Sequence, residues 1–238
     1  MASWFRRSRP RAEAPTLTPR DTAAAALRVD LGELAPAPDV FLGHCAALHL
    51  TFIEQLTAAM ANATRVADKD ALARAVGTVL DRYRVLAVEL ERLHLDKTDV
   101  MQPHMAGVEE FKRRTEGGEW YEQVASAHVT IGFLTDFWIR LSGGVPGELG
   151  QRVAEALAEG DVQSPLHRIL ERAIAANPRL SSRLALWSRR LVGDTMLQAR
   201  SALTLHADSS RDEAQIEPVF TELIAEHTRR MDRLGLTA

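Results

Sequence analysis

The sequence predicts an all-α protein built around a bundle of long helices. Apolar residues recur every three or four positions over several stretches of about twenty residues, a spacing that gives a helix one apolar face. No stretch alternates apolar and polar residues as a half-buried strand would. The clearest apolar face, within residues 70–94, is formed by Leu72, Val76, Val79, Tyr83, Leu86, Leu90 and Leu93.

Length and composition fit one sizeable soluble domain. The chain has 238 residues, of which 46% are hydrophobic and 26% are charged, enough for a substantial core. The formal net charge of −3 gives no global reason to bind nucleic acid or an anionic membrane. Cys45 is the only cysteine, which excludes a disulfide within the chain and a thiolate-rich metal site.

The first 36 residues are rich in Pro, Ala and Arg and show no sustained periodicity. We therefore predict a disordered basic tail at residues 1–36 and a helical domain at residues 37–238. The opening arginines precede no apolar segment of a secretory signal, and no apolar run approaches the roughly 20 residues of a transmembrane helix. We expect a cytoplasmic protein with no membrane partner. The tail arginines leave nucleic acid open as a ligand, although a solvated tail is the simpler interpretation.

The first helices can be placed from their caps and breaks. Asp39 is the predicted N-cap of a first helix that ends at residues 62–64, and a second helix runs from about Asp68 to His94. A shorter, more polar helix is expected at residues 102–115, before the paired glycines at 117 and 118. A third long helix at residues 119–141 carries a near-heptad seam from Trp120 to Leu141.

The fourth segment starts near residue 148 and is interrupted. Gly160-Asp161 and Ser164-Pro165 predict a break, because proline removes a helical donor and clashes with the preceding turn. Helix resumes over residues 166–176, and two further helices are expected at residues 179–205 and 211–234. The predicted fold is thus a four-helix bundle with additional C-terminal helices.

Few residues carry chemistry by their spacing. Glu91 and His94 form the single Glu-x-x-His of the chain, a pattern that di-iron sites use twice, together with two further carboxylates. Near a helix end and without a second copy, this pair is better explained as a surface feature. His49, His128 and His227 lie on or beside apolar faces, where a histidine is more often a hydrogen-bonded core residue than a metal ligand.

An arginine-rich stretch leaves one binding alternative open. Arg179, Arg183, Arg189 and Arg190 surround Trp187, a combination that is typical of nucleic-acid contacts. Acidic residues on neighbouring helices favour a salt-bridged helix face instead. The sequence has no glycine-rich phosphate loop, nucleophile elbow or metal-spaced cluster of cysteines and histidines.

Several longer strings point to a family. They are Met-Gln-Pro at 101–103, Glu-Phe at 110–111, Asn-Pro-Arg-Leu at 177–180, Arg-Leu-Ala-Leu-Trp-Ser-Arg-Arg-Leu-Val-Gly at 183–193 and Glu-His-Thr-Arg-Arg-Met-Asp-Arg-Leu-Gly-Leu at 226–236. From Phe41 to its end the chain resembles bacterial, chiefly actinobacterial, ferritin-like proteins related to the tRNA 2-methylthio-N6-isopentenyladenosine hydroxylase. The resemblance implies a ferritin-like bundle, a di-iron carboxylate centre and an O₂-dependent hydroxylation.

The same resemblance implies where the metal ligands would stand, one on the first helix, two on the second, one on the third and two on the fourth. These vacated di-metal positions are His49, Val79, Arg82, Ile131, Glu159 and Val162. A di-iron centre needs several carboxylates to offset the metal charge, and Glu159 is the only carboxylate among the six. We therefore predict no bound metal and no catalytic residue.

These observations favour a ferritin-like protein that has lost its di-iron centre. We expect a non-catalytic structural or interaction subunit without a cofactor, in a homo- or hetero-oligomer with a related ferritin-like chain. One alternative is an active di-iron, O₂-dependent hydroxylase that binds iron. Another is a small-molecule or nucleic-acid binding module.

The vacated site should contain a buried ion pair. Arg82 lies beside the apolar face of the second helix, and an unpaired guanidinium buried there would be costly. We expect the Glu159 carboxylate to pair with it, with His49 nearby. The side chains expected to be largely buried together are Trp120, Ile131, Leu134, Trp138, Val79 and Tyr83.

Overall fold

The computed structural model describes residues 31–207 and 209–236, and every regular element within them is helical. The predicted tail therefore lies outside the described residues from residue 1 to residue 30. In chain order the elements are a 3₁₀ turn (Gly32–Leu34), α1 (Pro38–Asn62), α2 (Val66–Arg92), α3 (Lys97–Thr115), α4 (Trp120–Ser142), α5 (Glu148–Ala158), α6 (Gln163–Ala176), α7 (Arg179–Arg200) and α8 (Ser209–Arg233).

Helices α1, α2 and α4 form a bundle with a fourth helix that is broken into α5 and α6. Helix α1 packs against α2 and α4, α4 packs against both halves of the broken helix, and α2 closes the bundle against α6. Helix α3 lies along α1, α7 covers α4 and α3, and α8 packs on α4. The all-α prediction, with four long helical segments and additional C-terminal helices, is confirmed. None of the helices in the described ranges combines the length and apolar character that a bilayer span requires.

The start of α3 and the cap of α1 differ from the prediction. Helix α3 begins at Lys97, five residues before the expected start, because Asp96 caps it: its carboxylate accepts hydrogen bonds from the backbone N–H groups of Thr98 at 2.8 Å and Asp99 at 3.1 Å. Asp39 is not the cap of α1 but lies in its first turn. A carboxylate there still interacts favourably with the helix dipole.

Helix α4 is buried on every side rather than along one seam. All residues from 124 to 134 are buried, because α7 and α8 cover the face that a simple bundle would leave to solvent. The expected burial of Ile131, Leu134, Trp138 and Val79 is confirmed. Trp120 and Tyr83 are only partly buried.

The predicted break in the fourth helix is present. Helix α5 ends at Ala158 and α6 begins at Gln163, with Pro165 in its first turn. Between them Gly160 has a φ of 72°, and a Cβ atom there would lie 2.6 Å from the Cγ2 of Thr78. This position therefore requires glycine both for its backbone conformation and for the close approach of α2.

Residues 31–35, which we call the strap, belong to the core and not to a tail. Leu31 and Leu34 are fully buried, and the backbone carbonyl of Leu34 accepts a hydrogen bond of 2.9 Å from the N–H of Thr204. A Cβ atom at Gly144 would lie 2.5 Å from the Cα of Gly32. The strap thus fills the space between the α4–α5 and α7–α8 loops, so the folded domain begins at least six residues before the predicted boundary at residue 37.

The strap should contribute to stability through its leucines. Leu34→Ala is expected to lower the free energy of unfolding by about 2–5 kcal/mol, because it leaves a cavity in a fully buried site. Glu33→Ala is the matched control, since it removes only exposed contacts, an ion pair with Arg211 and a hydrogen bond from Gln215, and should cost less than about 1 kcal/mol. Urea unfolding followed by circular dichroism measures both. Equal, small effects would show that the strap does not pack as described.

Candidate functional site

A buried cation lies where α2, α4 and the α5–α6 break meet. Arg82 is buried, with only 7% of its surface exposed. Its Nε and Nη2 atoms donate hydrogen bonds to the backbone carbonyl of Glu159, at 3.2 and 3.1 Å. Its Nη1 lies 3.5 Å from the Thr135 hydroxyl. The guanidinium therefore joins three elements of the bundle from inside.

The C-terminal end of α5 supplies the charge that this cation needs. Carbonyls in the last turn of a helix have no intrahelical partner and carry the negative end of the helix dipole, and Glu159 directly follows the last residue of α5. Burial lowers the pKa of the Arg82 guanidinium, and the nearby Asp161 carboxylate raises it. Arginine remains protonated under these conditions. The site is a permanent positive charge held by a helix terminus.

The predicted Arg82–Glu159 ion pair is wrong in its chemistry, although the two residues do meet. The Glu159 side chain is exposed, and the contact is made by its backbone carbonyl. Side-chain identity could not reveal this, because any residue at the end of α5 presents the same carbonyl. Thr135 and Asp161 were missed, although Asp161 has a readable signal: its carboxylate accepts from the Ser164 N–H at 2.9 Å, a local side-chain-to-backbone turn just before Pro165.

Helix α1 contributes neutral groups to the site. His49 is 2% exposed, and its Nδ1 lies 2.8 Å from the Cys45 carbonyl and 3.8 Å from the Cys45 Sγ. Burial lowers the pKa of His49 to about 4, and the charge of Arg82 acts in the same direction. Burial also raises the pKa of the Cys45 thiol. Near neutral pH the site thus holds an uncharged imidazole and a thiol rather than a thiolate.

The other implied ligand positions are apolar and sequestered. Val79, Ile131 and Val162 are at most 2% exposed and belong to one hydrophobic core. Across the described ranges, no three His, Cys, Asp or Glu side chains are grouped so that they could hold a metal ion. A di-iron centre of this fold class requires a carboxylate from each helix and two histidines. The residues at these positions do not fit that centre, and their status as former ligand positions stays a prediction.

His128 and His227, the other two histidines that the sequence placed on apolar faces, lie in a second polar cluster between α4, α6 and α8. His128 is buried against the side-chain amide of Gln163, 2.8 Å from its Nδ1 in the amide orientation that satisfies both groups. Arg230 forms an ion pair of 2.6 Å with Asp136. Burial, followed by the charge of Arg230, lowers the pKa of His128 to about 3 and that of His227 to about 4. These are neutral core histidines, as the sequence favoured.

The surface motifs have ordinary contacts. Glu91 and His94 are both exposed at the end of α2, which confirms the surface interpretation of the Glu-x-x-His pattern. In the arginine-rich stretch, Arg183 pairs with Glu119 and Glu122, each at 2.8 Å, as expected for a salt-bridged face. The Arg190 guanidinium lies 5.1 Å from the centre of the Trp187 ring.

The contact between Arg82 and a backbone carbonyl can be tested by comparing two substitutions. Arg82→Met should lower the free energy of unfolding by about 1–3 kcal/mol, because it leaves the Glu159 carbonyl without its donor. Glu159→Ala keeps that carbonyl and should cost less than about 1 kcal/mol. Chemical denaturation of the two variants and the parent provides the measurement. If Glu159→Ala lowers the free energy of unfolding as much as Arg82→Met does, the contact is a side-chain ion pair after all.

Acid should destabilise the fold through its buried histidines. The pKa values of His44, His49 and His227 are lowered by burial to about 4, and that of His128 to about 3, from 6.5. At a pH between the lowered pKa values of the folded chain and the value of 6.5 in the unfolded chain, the unfolded chain binds more protons. The stabilisation is therefore complete above about pH 6.5 and is lost as the pH falls, by about 1 kcal/mol per pH unit for each histidine.

Unfolding free energies measured from pH 7.5 to 4.5 check this expectation. His49→Gln should give a shallower decline than the parent, because one titrating group is removed, whatever the overall stability of the variant. A profile that stays level down to pH 5 would contradict the burial of neutral imidazoles.

Comparison with known proteins agrees with this architecture. A family model described as a ferritin-like domain of actinomycetes matches residues 38–210, from the start of α1 to the first residues of α8. A comparison with curated proteins gives no match. The family match covers well over half of the 238 residues and includes all four helical segments of the bundle. The chain therefore belongs to the family of ferritin-like domains found in actinomycetes.

Proposed function

We propose that this chain is a ferritin-like subunit without a metal centre, with a structural or interaction role in place of catalysis. The observation that carries the proposal is the Arg82 guanidinium in the bundle interior, bound to the Glu159 carbonyl. Two positive charges a few ångströms apart repel strongly in a poorly polarisable interior. A ferrous ion in this place would face a fixed cation instead of a carboxylate.

The wider chemistry of the site supports the same proposal. A di-iron protein needs anionic oxygen ligands, whereas Val79, Ile131 and Val162 supply apolar side chains at three of the implied ligand positions. The fourth helix is broken at the level of Arg82, and the break leaves the backbone carbonyl of Glu159 free to accept hydrogen bonds from the guanidinium. In this proposal the vacated site serves stability: the guanidinium binds α2 to α4 and α5 where a metal would have done so.

In this proposal the chain shares an ancestor with relatives of the tRNA hydroxylase but does not share their activity. A subunit of this kind would act in the cytoplasm, without a cofactor, in an oligomer with itself or with a related ferritin-like chain. The competing function is a di-iron, O₂-dependent hydroxylase, which requires iron at the site. Iron binding therefore separates the two.

Metal analysis tests the proposal directly. The full chain is expressed in iron-supplemented medium, purified without chelators and analysed by inductively coupled plasma mass spectrometry, beside a di-iron ferritin-like protein as positive control. We expect fewer than about 0.1 iron atoms per chain, because the six implied ligand positions include a single carboxylate, that of Glu159, and its side chain is exposed. Two irons per chain would overturn the proposal and favour the hydroxylase.

A second measurement covers iron that is lost during purification. Anaerobic thermal unfolding with and without added Fe²⁺ should give the same midpoint. A specific ligand present at about a hundred times its dissociation constant would stabilise the folded chain by about 2.7 kcal/mol. A higher unfolding midpoint with Fe²⁺, corresponding to a stabilisation of that size, would also count against the proposal.

A further inference from the structure

Helix α7 has an exposed apolar face that no element in the described part of the chain covers. Its inner face packs on α3 and α4. On the opposite side Leu186 is 65% exposed and Leu197 is 60% exposed, and Arg190 and Gly193 are exposed between them. We call these four residues the α7 seam. Isolated exposed leucines are common on protein surfaces, but aligned ones on one helix are a candidate contact.

The spacing of the α7 seam is that of a coiled coil. Its residues lie four, three and four positions apart, which is the alternation of the two core positions of a heptad. When two copies of such a helix lie antiparallel about a two-fold axis, each core position faces the other kind. An axis midway between Arg190 and Gly193 places Leu186 opposite the partner's Leu197 and Arg190 opposite the partner's Gly193. The seam is therefore complementary to itself.

The two middle residues of the seam, Arg190 and Gly193, suit this pairing. Nothing lies within 4 Å of a Cβ atom built at Gly193, so this position leaves room for a long side chain from a second copy. The carboxylate of Asp194, the next residue in the sequence, is partly exposed and lies 3.8 Å from the guanidinium of Arg114 on α3. In the antiparallel register each Arg190 lies opposite the partner's Gly193, where the absence of a side chain leaves room for it.

A groove beside the seam extends the same surface. An open groove of about 690 Å³ lies between α7 and α8. Ile216, Phe220 and Ile224 of α8 line it, and both acidic residues and arginines stand at its border. Most of α8 lies beyond residue 210, where the family match ends. A border of mixed charge suits a two-fold contact, in which each patch meets its own copy and every charge can face its opposite.

We propose that α7 is a self-association surface, on which a second copy of this chain packs antiparallel with Leu186 against Leu197 across a two-fold axis. This inference specifies the partner that the proposed function leaves open and names the residues that meet. It rests on the exposed face of α7 alone, so it stands or falls separately from the question of iron.

Sedimentation velocity of the full chain provides the first test. The parent should sediment as a species of twice the 26.3 kDa chain mass. Leu186→Glu alone and Leu197→Lys alone should each weaken association by at least about tenfold, because each buries a charge against a leucine. The double variant L186E/L197K should recover association, because each introduced carboxylate then faces an introduced ammonium. Val66→Glu, at an exposed apolar residue of α2, is the matched control and should behave as the parent.

A cross-linking experiment tests the register itself. The variant with cysteines at both Leu186 and Leu197 should form a covalent dimer under mild oxidation, whereas Leu186→Cys alone should not, because the two copies of that position lie far apart in an antiparallel pair. The native Cys45 is buried and does not interfere. A parent chain that stays monomeric, or a dimer that neither L186E nor L197K weakens and that the double cysteine variant does not link, would overturn the proposal.

Discussion

Burial of α4 on all sides is the constraint on which the rest of this structure depends. A helix with no polar face must be covered all round, and residues 124–134 of α4 are buried without interruption. The bundle partners cover one half of it and the C-terminal helices cover the other. One of its buried polar side chains, Ser126, accepts a hydrogen bond of 2.9 Å from the Trp187 indole of α7. The C-terminal helices α7 and α8 thus contribute to the core of the domain.

The break in the fourth helix and the arginine in the core explain each other. In a continuous helix every backbone carbonyl is bonded within the helix, and a buried guanidinium on α2 would find no acceptor there. The end of α5 at Ala158 frees the carbonyl of Glu159, and the turn at Gly160 lets it face Arg82. Changing either feature alone would leave a donor or an acceptor unpaired in the interior. We regard them as one structural unit made from distant parts of the chain.

The sequence predicts those parts of the fold that follow from local pattern. Apolar periodicity is enough for the long helices, and Gly160 and Pro165 are enough for the break. The strap was missed because Leu31 and Leu34 are two apolar residues in a stretch without periodicity, and only the loops around them create their cavity. The acceptor for Arg82 was assigned to the wrong atoms of the right residue, because a backbone carbonyl leaves no trace in the identity of a side chain. The all-round burial of α4 likewise depends on helices that come later in the chain.

The strap has a consequence for the order in which this protein is made and folded. Its residues precede α1 in the chain, yet the N–H of Thr204 donates to the Leu34 carbonyl and Arg211 pairs with Glu33, so the strap can dock only after α7 and the start of α8 have been synthesised. The helices from α1 to α6 must therefore assemble without it. Closing so long a loop costs little more entropy than closing a shorter one, but contacts between such distant residues form slowly. The strap is thus translated before α1 to α6 but reaches its place after them.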